Sequence, residues 1–234
     1  MAEVSYERRG IFLAVSTVIF ALRAHPQTGL STLWLPLVRR IREPFENHWA
    51  LPGGWVAADE DLAEAAARNL LETTALSPAY LEQLYAFGNV DRSSVGRVVS
   101  IVYWALVRPE QADRASEGEN VRWFVADELP ELAFDHNLIV DYALWRLRTK
   151  MEYSRIAHAF LGETFTLTDL RQVHEAVLQK PIDPANFRRQ IESSKALVRT
   201  DEHVTGGRHR PPRLYRYNTA IELADNGPLT PVRS

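Results

Sequence analysis

The residues with the clearest chemical pattern lie in the segment LPGGWVAADEDLAEAAARNLLETTAL, which occupies positions 51 to 76. Gly53 and Gly54 allow the backbone to approach a ligand closely, because neither residue carries a side chain. Glu60 follows six positions after Gly54, and Arg68 follows eight positions after Glu60. Charged residues thus follow, at fixed spacings, a turn whose backbone a ligand can approach.

The same segment resembles the Nudix box, the sequence signature of enzymes that cleave pyrophosphate bonds. Three positions depart from the signature, because Asn69, Thr73 and Ala75 stand where it has Glu, Glu and Gly. The resemblance implies a Nudix domain, and the alternative is a glycine turn before an ordinary amphipathic helix. The matching positions are Gly54, Glu60, Arg68, Leu70, Glu72 and Leu76.

Two of these departures fall on residues that would hold a metal ion. In the Nudix family, helix carboxylates three and four residues apart hold Mg²⁺ or Mn²⁺, and the equivalent residues here are Asn69, Glu72 and Thr73. A hard divalent cation prefers charged oxygen ligands, and two of these three side chains are neutral. We therefore predict weak or absent hydrolysis, no catalytic residue and no metal site, with Glu72 as the residual metal candidate. Glu64, Arg68 and Glu72, spaced four residues apart, are predicted to form a ladder of ion pairs.

Two neighbouring segments resemble the branch of the Nudix family that handles ADP-ribose: WALPGGW, which begins at Trp49, and GNVDRSSVGRVVSIVYWALV. The resemblance implies that Asp91, Arg92 and Arg97 face the phosphates or ribose of a nucleotide, a role that suits the planar guanidinium group. A solvated pair of loop arginines is the alternative, and Trp49 would either stack on a base or pack in the core. The predicted effector-binding residues are Trp49, Gly53, Gly54, Arg68, Glu72, Asp91, Arg92 and Arg97.

Strands and two helices must position these residues. Apolar and β-branched runs predict strands at IFLAVSTVIFAL, STLWLPLV, LEQLYAFGNV, RVVSIVYWALV and VRWFV. The segment DLAEAAARNLLETT predicts a helix with Leu62, Ala65, Ala66 and Leu70 on one face, and a second long helix is predicted from His136. This order fits an α/β/α Nudix sandwich over residues 1–150. Because no linker rich in Gly or Ser follows, the helix from His136 can run straight into the next domain.

Residues 151–225 predict a second domain, with the helical stretches YSRIAHAFL, TDLRQVHEAVLQ and PANFRRQIESS followed by the strand-like runs ALVRT and RLYRYN. Three helices and a β-hairpin are the order of a winged helix-turn-helix domain. Thr168 is predicted to cap the middle helix, and Asp183 before Pro184 is predicted to cap the third. Residues 226–234 are expected to fray. The predicted fold class is α+β, a Nudix α/β/α sandwich followed by a winged helix-turn-helix domain.

The second domain carries a local positive charge. Between residues 183 and 216 there are eight basic and four acidic side chains, whereas the whole chain has a net charge of −3. Helix residues near the start of a recognition helix contact bases and phosphates, and a wing tip contacts phosphates or the minor groove. The alternative is a solvated helix with a protein-docking wing, and RNA is disfavoured because no aromatic platform accompanies the charges. The predicted DNA-binding residues are Thr168, Asn186, Arg188, Arg189, Arg208, His209 and Arg210.

Composition limits the remaining classes of protein. The 234 residues, 46% of them hydrophobic, suffice for one large domain or two modest ones. The absence of cysteine excludes a disulfide scaffold and a thiolate metal site. The first apolar run is too short to span a bilayer and is followed by no cleavage-like site, so a soluble cytoplasmic protein with no membrane partner is expected.

The two halves together resemble a more specific family, the Nudix-related transcriptional regulators of NAD metabolism (the NrtR family). FTLTDLRQVHEAVLQKPIDPANFRRQI and GRHRPPRLYRYN resemble the second and third helices and the wing of that family. The resemblance implies a homodimeric repressor of genes for NAD synthesis or salvage. It would bind a palindromic operator on double-stranded DNA and be released by ADP-ribose or a related nucleotide, with no required cofactor. An ADP-ribose pyrophosphatase with an appended module is one alternative, and a non-catalytic adaptor that binds a nucleotide and a protein is another.

Overall fold

A computed structural model describes residues 10–76, 78, 80–113, 118–151, 156–194, 196–203 and 212–218. The strands are β1 Phe12–Ala24, β2 Ser31–Arg39, β3 Trp49–Ala50, β4 Gly53–Trp55, β5 Tyr80–Phe87, β6 Val98–Val107, β7 Val121–Val125, β8 Leu197–His203 and β9 Arg213–Tyr217. The helices are α1 Leu62–Thr74, α2 Pro109–Ala112, α3 His136–Lys150, α4 Leu167–Leu178 and α5 Pro184–Ser194, and a 3₁₀ helix spans Ile156–Phe160. None of the helices within these ranges is long and apolar enough to cross a bilayer.

Seven strands form one mixed sheet, in which β1 lies between β2 and β6 and β5 forms an edge. β1 runs parallel to β6 from the pair Phe12↔Val98 onward. Its other side is shared, because β2 pairs with the end of β1 and β4 pairs with its start. Gly54 is therefore opposite Val15, and Gly53 is opposite Ser16.

A helix covers each face of this sheet. Side chains alternate between the two faces of a strand. Val18 and Phe20 of β1 accordingly pack in one cluster with Ile139 of α3, whereas Ile19 packs with Leu70 of α1. On the predicted face of α1, Ala65, Ala66 and Leu70 are buried and Leu62 is half-buried. This arrangement confirms the α/β/α sandwich.

The far end of α3 is fixed to the sheet. Lys150 Nζ donates to Glu82 Oε2 at 2.7 Å and to the Tyr80 hydroxyl at 3.1 Å. α3 ends there, and the stretch predicted as the next helix is instead the 3₁₀ helix that begins at Ile156. A continuous helix through residues 152–155 was one expectation, and those residues lie outside the described ranges.

The second domain has the predicted order of helices followed by a β-hairpin. Phe165 and Tyr215 exchange two backbone hydrogen bonds of 2.8 and 3.0 Å, which join the segment before α4 to β9. Val173 of α4 and Phe187 of α5 belong to the same buried cluster as Trp104 in the sheet. The core is therefore continuous from the Nudix sheet into the winged helix domain.

The N-cap of α4 lies two residues before the predicted one. Asp169 N–H donates to Thr166 Oγ at 3.1 Å, and Thr166 N–H donates to Asp169 Oδ2 at 2.9 Å. This reciprocal capping box needs an acidic residue three positions after the cap, and Thr168 is followed there by Arg171. The prediction of Thr168 as the cap is wrong. At α5 the predicted cap is confirmed, since the Asn186 N–H donates to Asp183 Oδ1 at 2.8 Å.

Candidate nucleotide cavity and DNA-binding surface

A cavity of about 380 Å³ opens beside the glycine turn, where the start of β1 meets β4. Its wall is formed by β1, by the loop between β2 and β3, by the loop before β6 and by the start of α3. The polar, charged, glycine and aromatic residues that line it are Ser16, Arg40, Arg42, Glu43, Gly53, Gly54, Trp55, Arg92, Ser93, Ser100, Phe134 and His136.

The two glycines are required because the turn has no room for side chains. A Cβ on Gly53 would collide with the carbonyl oxygen of Val15, and a Cβ on Gly54 would collide with the side-chain amide of Asn69. The turn is thus pressed against both β1 and α1, and its backbone forms part of the cavity wall.

Positive charge predominates in the cavity, whose lining includes three arginines and a single carboxylate, Glu43. The guanidinium of Arg40 lies over the ring of Phe134, 4.7 Å from its centroid, and its Nε donates to the Pro44 carbonyl at 2.8 Å. Burial lowers the pKa of Arg40 and the charge of Glu43 raises it, but an arginine remains protonated at neutral pH. Arg42 lies on the same loop. This arrangement suits an anion such as a diphosphate.

The cavity wall is joined to the first turn of α3. Arg92 Nε and Nη2 donate to Asp135 Oδ2 and Oδ1 at 3.0 and 2.7 Å, and the Arg92 side chain is only 6% exposed. His136, the next residue, is buried, and its Nδ1 accepts a hydrogen bond from the Leu51 N–H at 3.0 Å. Burial lowers the pKa of His136 to about 4, so the ring is neutral at pH 7 and can accept that bond.

The charged residues of the Nudix-like box form a network on the outer side of α1. Arg68 donates to both oxygens of Glu60 at 2.9 and 2.7 Å and to Glu72 at 3.4 Å. Hydrogen bonds from Arg68 and from a backbone N–H lower the pKa of Glu60 to about 2. Glu64 instead accepts from the Asp61 N–H at 3.0 Å. The predicted ion pair between Glu64 and Arg68 is therefore wrong, whereas the pair between Arg68 and Glu72 forms. The Glu64 carboxylate binds a backbone N–H at the start of the helix, which has no partner within the helix.

The metal-ligand positions of the box do not fit a divalent ion. Asn69 is buried, and its Nδ2 donates to the Ala65 carbonyl at 2.8 Å. Thr73 Oγ1 donates to the Asn69 carbonyl at 2.5 Å, which leaves Glu72 as the single exposed carboxylate of the three positions. Throughout the described ranges, no group of three or more His, Cys, Asp or Glu residues is arranged to hold a metal ion.

Several predicted effector residues lie away from the cavity. Trp49 packs on Phe124 with ring centroids 5.1 Å apart, which is the core role given as its alternative. Arg97 Nη1 donates to the carbonyls of Gly88 and Asn89 at 2.5 and 3.1 Å and so fixes its own loop. Of the eight predicted residues, those that line the cavity are Gly53, Gly54 and Arg92, and those that do not are Trp49, Arg68, Glu72, Asp91 and Arg97.

Sequence reasoning missed Arg40, Arg42, Phe134 and His136, which line the cavity. One signal was available for two of them. The run RRIREP carries three arginines in four positions and lies shortly before the glycine turn. Phe134 and His136 gave no such signal, because their place depends on how α3 meets the sheet.

The exposed surface of α5 carries the predicted recognition residues. Phe187 is buried, and its ring lies 5.3 Å from that of His174 in α4. Asn186, Arg188 and Arg189 are exposed, and Arg189 donates to the Asn186 side chain. Thr168 is exposed in the first turn of α4. The wing residues Arg208, His209 and Arg210 lie outside the described residues.

α3 extends from the cavity to the winged helix domain. At its far end, Arg148 Nη2 donates to the carboxylate of Asp127 at 2.8 and 2.9 Å, and Arg148 Nε donates to the Val177 carbonyl of α4 at 3.0 Å. The amide of Gln179, just after α4, also donates to Asp127. A single helix therefore contacts the cavity at its start and the winged helix domain at its end.

Comparisons with known proteins cover both domains. The family model described as NUDIX domain matches residues 14–142, and the one described as NrtR DNA-binding winged helix domain matches residues 157–217. The "ADPR responsive transcriptional repressor NtrR" of Acinetobacter baylyi is 31% identical, over 91% of this chain and 85% of its own length. An ADP-ribose pyrophosphatase of Methanocaldococcus jannaschii is 35% identical, but over 47% of this chain and 66% of its own length.

A solved structure shows the same arrangement of domains. The crystal structure of Shewanella oneidensis NrtR complexed with a 27mer DNA is 37% identical to this chain, with a TM-score of 0.72 over 88% of this chain and 93% of that one. The likeness to regulators thus spans both domains, whereas the likeness to the pyrophosphatase spans about half of the chain. The chain belongs to the NrtR family, in which a Nudix domain is joined to a DNA-binding winged helix domain.

Proposed function

We propose that this protein is a cytoplasmic repressor of genes for NAD synthesis or salvage. It binds a palindromic operator as a homodimer and leaves the DNA when ADP-ribose, or a related NAD-derived nucleotide, enters the cavity. The observation that carries the proposal is α3, which begins beside the Arg92–Asp135 pair in the cavity and ends on α4 of the winged helix domain. A ligand that changes the position of this helix can therefore change the DNA-binding domain.

The cavity supports the effector part of the proposal. A volume of about 380 Å³ lies in the range of small-molecule sites. Arg40 and Arg42 provide positive charge for a diphosphate, whereas the charge of Arg92 is balanced by Asp135. The Acinetobacter relative is named as ADPR-responsive. The neutral residues Asn69 and Thr73 support a role in which the nucleotide is held and not cleaved.

The winged helix domain supports the DNA part. Arg188 and Arg189 are exposed on α5 with Asn186, and the Shewanella relative was crystallised with a duplex. Arginine and asparagine at the start of a recognition helix can contact base edges and phosphates.

Fluorescence anisotropy with the gene's own upstream DNA tests the whole proposal. We expect a salt-dependent complex whose log affinity falls by roughly 0.9 per neutralised phosphate as log salt concentration rises. ADP-ribose or NAD should then weaken the complex by about 5- to 150-fold, which corresponds to a coupling of roughly 1–3 kcal/mol. DNA binding that neither nucleotide changes would contradict the effector part of the proposal.

Paired variants separate the two sites. Arg40→Ala should weaken ADP-ribose binding by about tenfold and leave affinity for DNA unchanged, because it removes one charge-assisted contact to an anion. Arg189→Ala should weaken DNA binding and leave ADP-ribose binding unchanged. Calorimetry with ADP-ribose and anisotropy with DNA measure the two effects independently.

The match to an ADP-ribose pyrophosphatase favours hydrolysis as the second candidate function. Incubation with ADP-ribose and Mg²⁺ or Mn²⁺, followed by measurement of AMP, distinguishes the two. We expect no multiple-turnover release of AMP, because two of the three metal-ligand positions are neutral. Several turnovers per second that Glu72→Gln abolishes would establish an enzyme instead.

A further inference from the structure

α3 is apolar on two opposite sides. Its inner side packs into the core, whereas Leu138, Tyr142 and Trp145 lie along its outer side at intervals of four and three residues. Leu138 is 60% exposed and Trp145 is 55% exposed. An apolar side of a helix is normally buried, but the outer side of α3 is largely uncovered within the described part of the chain: Leu138 and Trp145 are exposed, and Tyr142 packs against β5. The buried inner residues include Ile139, Val140, Ala143, Leu144 and Leu147.

The exposed apolar surface extends from α3 onto the edge strand β5. The ring of Tyr142 lies 5.3 Å from the ring of Tyr85 and 5.3 Å from the ring of Trp145, and Tyr85 is 55% exposed. A recess of about 370 Å³ opens beside Trp145, with Leu178 of α4 on its other side. We call Leu138, Tyr142, Trp145 and Tyr85 the outer strip. Large exposed aromatic groups next to a recess are typical of protein interfaces.

Two charged residues flank the helical part of the outer strip. Leu138, Tyr142 and Trp145 have the spacing of the d, a and d positions of a coiled coil, which places Asp141 at g and Arg146 at the following e. In a parallel pair of helices, g of one copy lies beside the following e of the other, so Asp141 would face Arg146 of the partner subunit. In an antiparallel pair g faces g and e faces e, which would bring like charges together.

We propose that α3 packs in parallel against α3 of a second copy of this chain through the outer strip, with Asp141 of each copy beside Arg146 of the partner subunit. This inference rests on the proposed function, which requires a homodimer, and it adds the surface through which the two copies pack. A parallel pair places the two far ends of α3, and hence both winged helix domains, at the same end of the dimer, where both can reach one duplex. An antiparallel pair would place them at opposite ends.

Disulfide trapping tests the direction of packing. Because the chain contains no cysteine, a single introduced cysteine reports on its own position. In a parallel pair Leu138→Cys brings the two sulfurs together, and mild oxidation of the DNA-free protein should convert most of it to a covalent dimer. The matched control is Leu71→Cys, which replaces a leucine on α1 that is 55% exposed. Equal trapping of both variants, or no trapping of Leu138→Cys, would overturn the proposal.

Charge reversal tests the pairing without cysteines. Asp141→Arg and Arg146→Asp should each weaken the dimer by about tenfold in sedimentation equilibrium, because each replaces two symmetric attractions by repulsions. The double variant should restore the affinity to within about twofold of the original protein. A monomeric original protein, or a double variant as weak as the single ones, would overturn the proposal.

These outcomes are separable from a failure of the proposed function. A Leu138→Cys dimer that binds DNA but ignores every nucleotide would contradict the effector role and support the interface. Nucleotide-sensitive DNA binding by a protein that Leu138→Cys cannot trap would contradict the interface and support the effector role.

Discussion

At the scale of single residues, Ala75 is the departure from the Nudix box with a direct structural cost. It caps α1 in the left-handed region, with φ 58° and ψ 18°, where a Cβ is unfavourable and the signature has glycine. Ala75→Gly should raise the free energy of unfolding by about 0.5–1 kcal/mol, as measured by urea denaturation. Ala67→Gly, at an exposed position inside the same helix, is the control and should lower it by about 1 kcal/mol. A loss of stability in Ala75→Gly would contradict this assignment of strain.

Two histidines, the buried His136 and the half-buried His174, predict the response to acid. Burial lowers the pKa of both His136 and His174 to about 4, from an ordinary 6.5. The unfolded chain therefore binds more protons between these values, so the stability is complete above pH 6.5 and is lost as the pH falls toward 4. The free energy of unfolding, measured by denaturation, should be lower at pH 5 than at pH 7 by about 2 kcal/mol for each histidine. In His174→Leu this difference should fall by the part that His174 contributes. Equal stability of the original protein at both pH values would contradict the shifts.

Part of the cavity lining could be predicted from the sequence, because some of its residues belong to short motifs of adjacent residues. Gly53 and Gly54 lie in the predicted glycine turn, where a Cβ has no room, and their approach to a ligand stays a prediction. A pair of adjacent glycines can be recognised from the sequence alone. Arg92 and Arg97 were predicted together, but one lines the cavity and the other binds its own loop. Which arginine of such a pair faces a cavity depends on the path of the loop, and Arg40 reaches the cavity from a different loop altogether.

At the scale of elements, the start of α4 gives a direct test of the corrected cap. Thr166→Ala removes the hydroxyl that accepts from the Asp169 N–H and should destabilise the protein by about 1 kcal/mol. Thr168→Ala, two residues later on the exposed side, should change stability by less than about 0.5 kcal/mol. Thermal melts of the two variants distinguish the caps, and an equal loss in both would contradict the structure.

Long elements were predicted well because periodicity needs several residues to be visible. The five predicted strands of the first domain correspond to β1, β2, β5, β6 and β7. β3 and β4 were missed, because two or three residues cannot show a period of two, and they pair only because β1 and β2 leave edges open beside the turn. The stretch before α4 has helical composition, but it forms five residues of 3₁₀ helix packed in the shared core.

At the scale of the whole molecule, the proposed switch requires that α3 transmit a change from the cavity to α4. Arg148 makes the contacts at the receiving end, with Asp127 and with the Val177 carbonyl. Arg148→Ala should leave ADP-ribose binding intact but reduce several-fold the factor by which ADP-ribose weakens DNA binding, because the two domains lose a charge-assisted tether. Lys180→Ala, an exposed change just after α4, is the control and should keep the full factor.

Linkage gives this experiment an internal check. The factor by which ADP-ribose weakens DNA binding must equal the factor by which DNA weakens ADP-ribose binding, in the original protein and in each variant. Anisotropy measures the first factor and calorimetry on the protein–DNA complex measures the second. If Arg148→Ala lowers both factors equally, the contacts of Arg148 contribute to the coupling between the nucleotide site and the DNA site. If both stay at the original value, the signal between the sites does not pass through the end of α3, and a route through the dimer contact would have to carry it.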